Sequence, residues 1–209
     1  MNNLDGHKTK KPTKKQMLEE VIPSKLKQEL HNAHIKGLVQ GFEVANQMLI
    51  DYADGHSFEQ VIDFCKKANR LGLQIEMHAI GDAAFNQATK ALKAALDDYP
   101  REDHRHGIIH ACLPTAEGIE ICKQYHIQIP MQTSFIVWAQ EPDWYLKEIM
   151  GEREAQLNPL RSFVDNGIVI STGSDSPCTD PDPMLWIHNA CNHPVQNQAL
   201  TLDEAMRMA

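Results

Sequence analysis

The 209-residue sequence contains no apolar run of the about 18 residues that a membrane-spanning helix needs. It also shows no apolar stretch behind a charged start, so we predict no secretory signal. No low-complexity segment and no short repeat stands out. Hydrophobic residues make up 42% of the chain and charged residues 23%, which is ordinary for one large soluble domain or two small ones. These features exclude a membrane span and a disordered tail protein.

Cysteine motifs are missing as well. The chain has five cysteines, an odd number, and none of them forms a Cys-x-x-Cys pair. This argues against a disulfide framework or a zinc ribbon and favours a reducing compartment, so we expect a cytoplasmic protein. Histidine, by contrast, is plentiful at eleven residues. Histidine is the commonest metal ligand and a frequent acid or base in catalysis. The large number of histidines therefore indicates that some of them could form a metal site.

A basic surface that would suit nucleic acid is also missing from most of the chain. Residues 1–30 hold seven lysines and four acidic residues, a net of +3, whereas the remainder holds 13 basic and 24 acidic residues, a net of −11. We interpret the lysine-rich start as a solvated segment and expect no nucleic-acid partner and no membrane partner.

From residue 57 onward the patterns predict strands and helices in alternation. Ser57 and Gln60 form a capping box ahead of a helix that Gly72 ends, and Thr201 begins a second capping box. Predicted strands start near residues 73, 105, 127 and 168. Such alternation indicates an α/β fold with a parallel sheet, either a small doubly wound sheet or half of an eight-stranded barrel. We therefore divide the chain into residues 1–56, lysine-rich with one helix predicted over 16–31, and residues 57–209.

Several further residues are assigned places in these elements. We expect Pro114 in the first turn of a helix that runs to about Tyr125, and we expect Asn158-Pro159 to cap and open another helix. Met206 and Met208 are predicted core positions of the last helix. The connection at 133–157 is unusually long, which predicts either a functional loop or a helix of its own. Its aromatic residues either line a pocket or pack that helix; they are Phe135, Trp138, Trp144 and Tyr145.

Three polar residues fall at the carboxyl ends of predicted strands. His78 ends the first strand, His110 ends the second, and Asp175 follows the fourth. Ligands and catalytic groups gather at this rim in parallel α/β folds. Two histidines and a carboxylate suit zinc, iron or another divalent metal, so we predict a metal site here.

The segments around these residues resemble a known family. The segments are His78-Ala79-Ile80-Gly81-Asp82, Arg105 to Ala111, and Gly173-Ser174-Asp175-Ser176-Pro177. Together they resemble the amidohydrolase superfamily, and within it the amidohydrolase type 3 group of YtcJ-like metal-dependent hydrolases. Their order matches the fifth, sixth and eighth barrel strands of that group, and Gln132-Thr133-Ser134-Phe135 is similar to the segment after its seventh strand. The resemblance covers roughly residues 57–209.

The resemblance implies a partial (β/α)8 barrel, about strands five to eight, with one or two divalent metals. It implies that His78 and His110 bind metal or polarise the substrate, and that Asp175 is both a metal ligand and the general base. Zinc is the first expectation, with iron or manganese as alternatives. The implied reaction is hydrolysis of an amide or another C–N bond in a small-molecule substrate.

This sequence also departs from the family. Members carry a His-x-His pair at the end of the first barrel strand, whereas His104-Arg105-His106, which precedes a strand, is interpreted here as a chance match. The chain thus resembles the C-terminal half of a longer hydrolase. Two hypotheses follow: a metal-dependent hydrolase in a truncated chain, or an inactive remnant or assembly half that needs an N-terminal partner. Open sheet edges predict self-association or pairing with that missing half.

Overall fold

The structure is a computed structural model that describes residues 57–138 and 141–209. The segment 1–56, including the helix predicted over 16–31, lies outside the described residues. Within the described part, no helix is both long and apolar enough to cross a membrane.

Helices and strands alternate along the described chain. The helices are α1 (Phe58–Arg70), α2 (Asp82–Asp98), α3 (Ala116–Tyr125), α4 (Asp143–Met150), α5 (Leu160–Asp165), α6 (Pro183–Cys191) and α7 (Leu202–Met208). The strands are β1 (Glu76–Ala79), β2 (Gly107–His110), β3 (Ile129–Met131) and β4 (Ile170–Thr172). Short 3-10 helices cover Thr133–Val137, Gly151–Gln156 and Gln196–Gln198. The predicted α/β class is confirmed.

The strands are parallel and lie in the order in which they follow along the chain. β1 pairs with β2, with Glu76 opposite Gly107, and β3 pairs with β4, with Ile129 opposite Ile170. A parallel bridge between Gly107 and Gln128 places β2 beside β3. The carboxyl ends of all four strands therefore meet at one rim.

The two faces of this sheet differ in burial. Ala79, Ile108 and Ile129 are 0% exposed and belong to the hydrophobic core that the strands share with the helices. On the opposite face, Glu76 and Ser171 are exposed. Helices therefore cover one face of the sheet within the described residues, whereas parallel sheets ordinarily have both faces covered.

The predicted helix caps are present at both ends of the described region. Ser57 accepts a hydrogen bond from the Gln60 backbone N–H while the Gln60 side chain accepts one from the Ser57 N–H, and Thr201 and Glu204 repeat the arrangement. Gly72 follows α1 with a φ of 75°, a left-handed conformation that glycine adopts without a Cβ clash.

Three expectations about helix residues are wrong. Pro114 precedes α3 instead of opening it, because the Thr115 hydroxyl accepts the Gly118 N–H and caps the helix there. Asn158 has a φ of 51° and does not cap α5, whose N-cap is Pro159 with no side-chain hydrogen bond. Met208 is buried as expected, but Met206 is 61% exposed because it lies on the outer side of α7.

Helices α2 and α3 approach each other closely at a glycine. A Cβ placed on Gly118 would lie 2.4 Å from the ring of Phe85, which is 0% exposed. Glycine is therefore required at this contact by the volume of the buried ring.

His104 and His106 are structural residues. The His104 ring accepts the His106 backbone N–H at 2.9 Å, and its other nitrogen lies 2.8 Å from the Tyr125 carbonyl. His106 accepts the Ile75 N–H at 3.1 Å and faces the Asn69 side-chain carbonyl at 3.0 Å. Every ring nitrogen is thus engaged far from the rim, in agreement with the interpretation of this His-x-His sequence as a chance match to a metal motif.

Candidate metal and catalytic site

The structure brings His78, His110 and Asp175 together at the rim. The rings of His78 and His110 are 4.4 Å apart between centroids and meet edge to face at 78°. His110 Nε2 lies 3.9 Å from Asp175 Oδ2, which is too long for a hydrogen bond. His110 is 3% exposed, whereas His78 is exposed and Asp175 is partly so. The three predicted site residues are therefore neighbours.

The backbone at this rim is locally strained. His110 has a φ of 69°, Ala111 of 49° and Asp175 of 54°, all in the left-handed region. Non-glycine residues held there cost about 1–3 kcal/mol each and are frequent at functional sites. The strained conformations place the His110 and Asp175 side chains against one another where their strands end.

The environment favours neutral imidazole rings. Burial lowers the pKa of His110, and the neighbouring His78 lowers it further, against opposing effects from Asp175 and Gln132. Desolvation lowers the pKa of His78, while Asp175 acts in the opposite direction. Both histidines consequently keep a nitrogen lone pair available near neutral pH, which metal binding requires.

One pair of candidate ligand atoms has a spacing that a shared divalent cation would allow. Two ligand atoms that each lie about 2.0–2.2 Å from one zinc ion can be no more than about 4.4 Å apart, and the 3.9 Å between His110 Nε2 and Asp175 Oδ2 meets this limit. His110 Nδ1 is buried without a hydrogen-bond partner. Across the described residues, however, no group of three or more His, Cys, Asp or Glu side chains is close enough together to form a complete metal site.

Aromatic residues of the connection after β3 border the site. Phe135 stacks on His110 with ring centroids 5.9 Å apart, and Trp138 contacts Phe135 at 4.7 Å. Trp144 is 70% exposed and contacts Tyr145 on α4. Of the four predicted aromatics, Phe135 and Trp138 thus belong to the rim, whereas Trp144 and Tyr145 lie on the surface of the predicted extra helix.

An ion pair ties this connection to the first strand end. Asp82 begins α2 directly after the His78 segment and accepts hydrogen bonds from the Ala83 N–H at 2.8 Å and from Arg153 at 2.5 Å. These hydrogen bonds lower the pKa of the Asp82 carboxyl. Both partners are about half exposed, so solvent screens the pair and it contributes little to stability.

Hydroxyl groups connect the ends of β3 and β4. The Thr133 N–H donates to the Thr172 hydroxyl at 3.2 Å, and the Thr133 hydroxyl donates to the Trp186 carbonyl at 3.0 Å. Asn189 donates to the Thr133 carbonyl at 3.0 Å. These bonds fix the end of β3, and with it the position of Gln132.

Gln132 is the residue at this rim to which sequence reasoning gave no role. Its Oε1 is buried without a partner, like His110 Nδ1. The only sequence signal was its position directly after a strand, in the segment that resembles the family. Cys112, also close to the site, is no nucleophile at neutral pH, because burial and the nearby Glu141 and Asp175 raise the pKa of its thiol to about 12.

The sequence is similar to those of known proteins. The model of the amidohydrolase family matches residues 31–209. The putative amidohydrolase YtcJ of Bacillus subtilis is 29% identical over 136 residues, which cover 65% of this chain and 25% of that protein. The N-substituted formamide deformylase of Arthrobacter pascens is 25% identical over 174 residues, which cover 75% of this chain and 30% of that protein.

A solved structure gives the same result. An uncharacterized metal-dependent hydrolase from Pyrococcus furiosus matches 73% of this chain and 31% of its own, with a TM-score of 0.61 and 27% identity. The chain therefore spans about a quarter to a third of the length of these relatives. Since the family model matches most of the sequence, the chain belongs to the amidohydrolase family.

Proposed function

We propose that this chain carries part of the active site of a metal-dependent hydrolase that cleaves amide or other C–N bonds. The observation that carries the proposal is the meeting of His78, His110 and Asp175 at one rim, with His110 Nε2 and Asp175 Oδ2 3.9 Å apart. Zinc is the preferred metal, because two imidazoles and a carboxylate match its usual ligands, with iron or manganese as alternatives.

Each residue has a distinct part in the proposed reaction. His78 and His110 offer neutral nitrogens to hold the cation or polarise the substrate carbonyl. The Asp175 carboxylate takes a proton from the attacking water and returns it to the leaving nitrogen. Phe135, stacked on His110, forms an apolar wall that limits access of water. A bound divalent cation would supply Lewis-acid polarisation and make water more acidic.

The fold in this proposal is a partial (β/α)8 barrel. Strand order 1-2-3-4 without reversal, with helices against one face, supports an arc of a barrel over a doubly wound sheet. The exposed side chains Glu76 and Ser171 lie on the face that a barrel would enclose. We therefore propose that a second copy of the chain, or an N-terminal half, completes the sheet.

The alternative function is a catalytically inactive half that serves in assembly or survives as a remnant. Two observations favour it: no complete group of metal ligands forms in the described residues, and the one His-x-His pair is structural. We propose a cytoplasmic location for both versions, supported by Cys65 and Cys122, which are buried thiols outside any disulfide.

Metal content of the purified chain tests the proposal. The chain is loaded with zinc, iron or manganese, dialysed, and analysed by plasma mass spectrometry beside His78→Ala and Asp175→Ala. His188→Ala, which removes an exposed histidine on α6, is the matched control. We expect near-stoichiometric metal in the parent and the control and its loss in both site variants. Hydrolysis is then assayed on amides, beginning with N-substituted formamides, because one relative is named for deformylating them.

The two functions predict different results. Absence of metal from the parent after reconstitution excludes the hydrolase for this chain alone and supports the inactive half. Sedimentation at micromolar concentration tests the assembly: a monomer at all concentrations would contradict pairing between copies.

A further inference from the structure

Three buried side-chain atoms in the described part of the chain have no hydrogen-bond partner: His110 Nδ1, Gln132 Oε1 and Trp186 Nε1. Leaving such an atom unsatisfied forfeits its hydrogen bond to water, so native structures rarely retain one without a reason. His110 ends β2 and Gln132 directly follows β3. Because these strands are neighbours, two of the three atoms lie at adjacent strand ends.

The chemistry of these atoms is complementary. The Gln132 carbonyl oxygen only accepts hydrogen bonds, whereas an imidazole nitrogen donates when it carries the proton. The indole Nε1 of Trp186 only donates, so it cannot serve His110 as an acceptor. Apart from His110 itself, Gln132 Oε1 is thus the one unpartnered buried side-chain acceptor in the described chain.

The position of the proton on the His110 ring depends on how Nε2, the other ring nitrogen, is used. His110 Nε2 faces Asp175 and lies beside His78. If the Nε2 lone pair is used by a cation, the proton of the neutral ring must reside on Nδ1. That buried N–H then needs an acceptor, and histidine ligands usually donate this second N–H to an oxygen that fixes the orientation of the ring.

We propose that Gln132 is the positioning residue of His110, accepting the Nδ1–H so that the ring presents Nε2 toward Asp175. The role of Nε2 as a metal ligand rests on the proposed function. The position of the proton on Nδ1 does not depend on that function, so the tautomer and the zinc affinity are measured in separate experiments.

The tautomer is measured first, without metal. Long-range ¹⁵N–¹H spectra of the ¹⁵N-histidine-labelled full chain at pH 8 distinguish a protonated Nδ1 from a protonated Nε2, and His110→Gln assigns the signal. We expect the proton on Nδ1 in the parent and in Gln132→Glu, which keeps an acceptor. Gln132→Leu should shift the population toward the Nε2 tautomer. Gln128→Leu, the same change at the other end of the strand, should leave the spectrum unchanged.

Zinc affinity is measured next by competition with a chelator. We expect Gln132→Leu to bind zinc about 10–100-fold more weakly than the parent, Gln132→Glu to restore the affinity, and Gln128→Leu to match the parent.

The outcomes separate the two proposals. Two results would overturn the role of Gln132: a proton on Nε2 in the metal-free parent, or a Gln132→Leu variant in which both the zinc affinity and the tautomer are unchanged. Neither result would contradict the proposed hydrolase function. If the parent does not bind zinc but shows the proton on Nδ1, and Gln132→Leu shifts that proton, the proposed metal site is wrong. The same result supports the hydrogen bond between His110 and Gln132. If Gln132→Leu does not fold, the tautomer of the parent and the zinc affinity of Gln132→Glu still test the role of Gln132.

Discussion

Replacing Asn69 by alanine should be among the most destabilising single changes in the chain. Asn69 is 0% exposed, and its amide donates to the carbonyls of Ala95 and Tyr99 at 2.9 and 2.7 Å. Its own carbonyl oxygen accepts from Arg101 at 3.1 Å and from His106 at 3.0 Å. These four bonds join α1 to the end of α2 and to the segment before β2.

The size of the stability loss depends on which hydrogen bonds the former partners of Asn69 can still form. Arg101 keeps backbone carbonyls as acceptors, and Tyr99 is 49% exposed, so water can replace its lost bond. The His106 Nε2–H is left buried and unpaired, which costs about 1–3 kcal/mol, and the lost bond to Ala95 adds about 1 kcal/mol. The higher helix propensity of alanine offsets about 0.5 kcal/mol of this loss in the free energy of unfolding. We therefore expect a loss of about 1.5–3.5 kcal/mol, a large share of a typical stability of about 5–15 kcal/mol.

Urea unfolding followed by circular dichroism measures this loss. The control is Asn166→Ala, which removes one hydrogen bond to the Ser162 carbonyl at a half-buried helix end and should cost about 1 kcal/mol or less. A loss below about 1 kcal/mol for Asn69→Ala, or equal losses in both variants, would refute the claim that the His106 N–H depends on Asn69.

Two further predictions concern the same core. Burial lowers the pKa of His106 from 6.5 to about 3 in the folded chain, so the unfolded chain binds the proton first: the contribution of this residue to stability is intact above pH 6.5 and decreases as the pH falls toward 3. Urea midpoints at pH 7.5 and 5 should show the decrease, and His106→Gln should flatten it; parallel slopes would contradict the assignment. Gly118→Ala should destabilise by about 1–3 kcal/mol because its Cβ meets the Phe85 ring, whereas Gly81→Ala, with open space around it, should be nearly neutral in thermal melts.

Local patterns predicted most of the fold because they act within one element. Alternating apolar residues and capping boxes depend on near neighbours, so the four strands and the helices α1 and α6 appear close to where they were expected. The first strand begins at Glu76 and not at Leu73, because the Ile75 N–H bonds the ring of His106 instead of a neighbouring strand. That partner is 31 residues away, and no local pattern reports it.

The candidate site divides in the same way. His78, His110 and Asp175 were identifiable because parallel strands bring their carboxyl ends to one rim and because the segments resemble a family. Gln132 and the stacking of Phe135 on His110 depend on side-chain burial and rotamers, which the spacing of residues does not encode. The metal and catalytic roles stay predictions until metal content is measured.

The order of the strands has a consequence for folding kinetics. Each strand pairs with the next one along the chain, about 20 to 40 residues away, so every pairing must wait for the helical crossover between the two strands. Parallel pairings of this kind form more slowly than sequence-local contacts, because the entropy of closing the intervening segment is lost before the strands make contact. No strand, however, pairs with one more than a single unit further along the chain, so the strand-and-helix units can add to one another in chain order as they leave the ribosome.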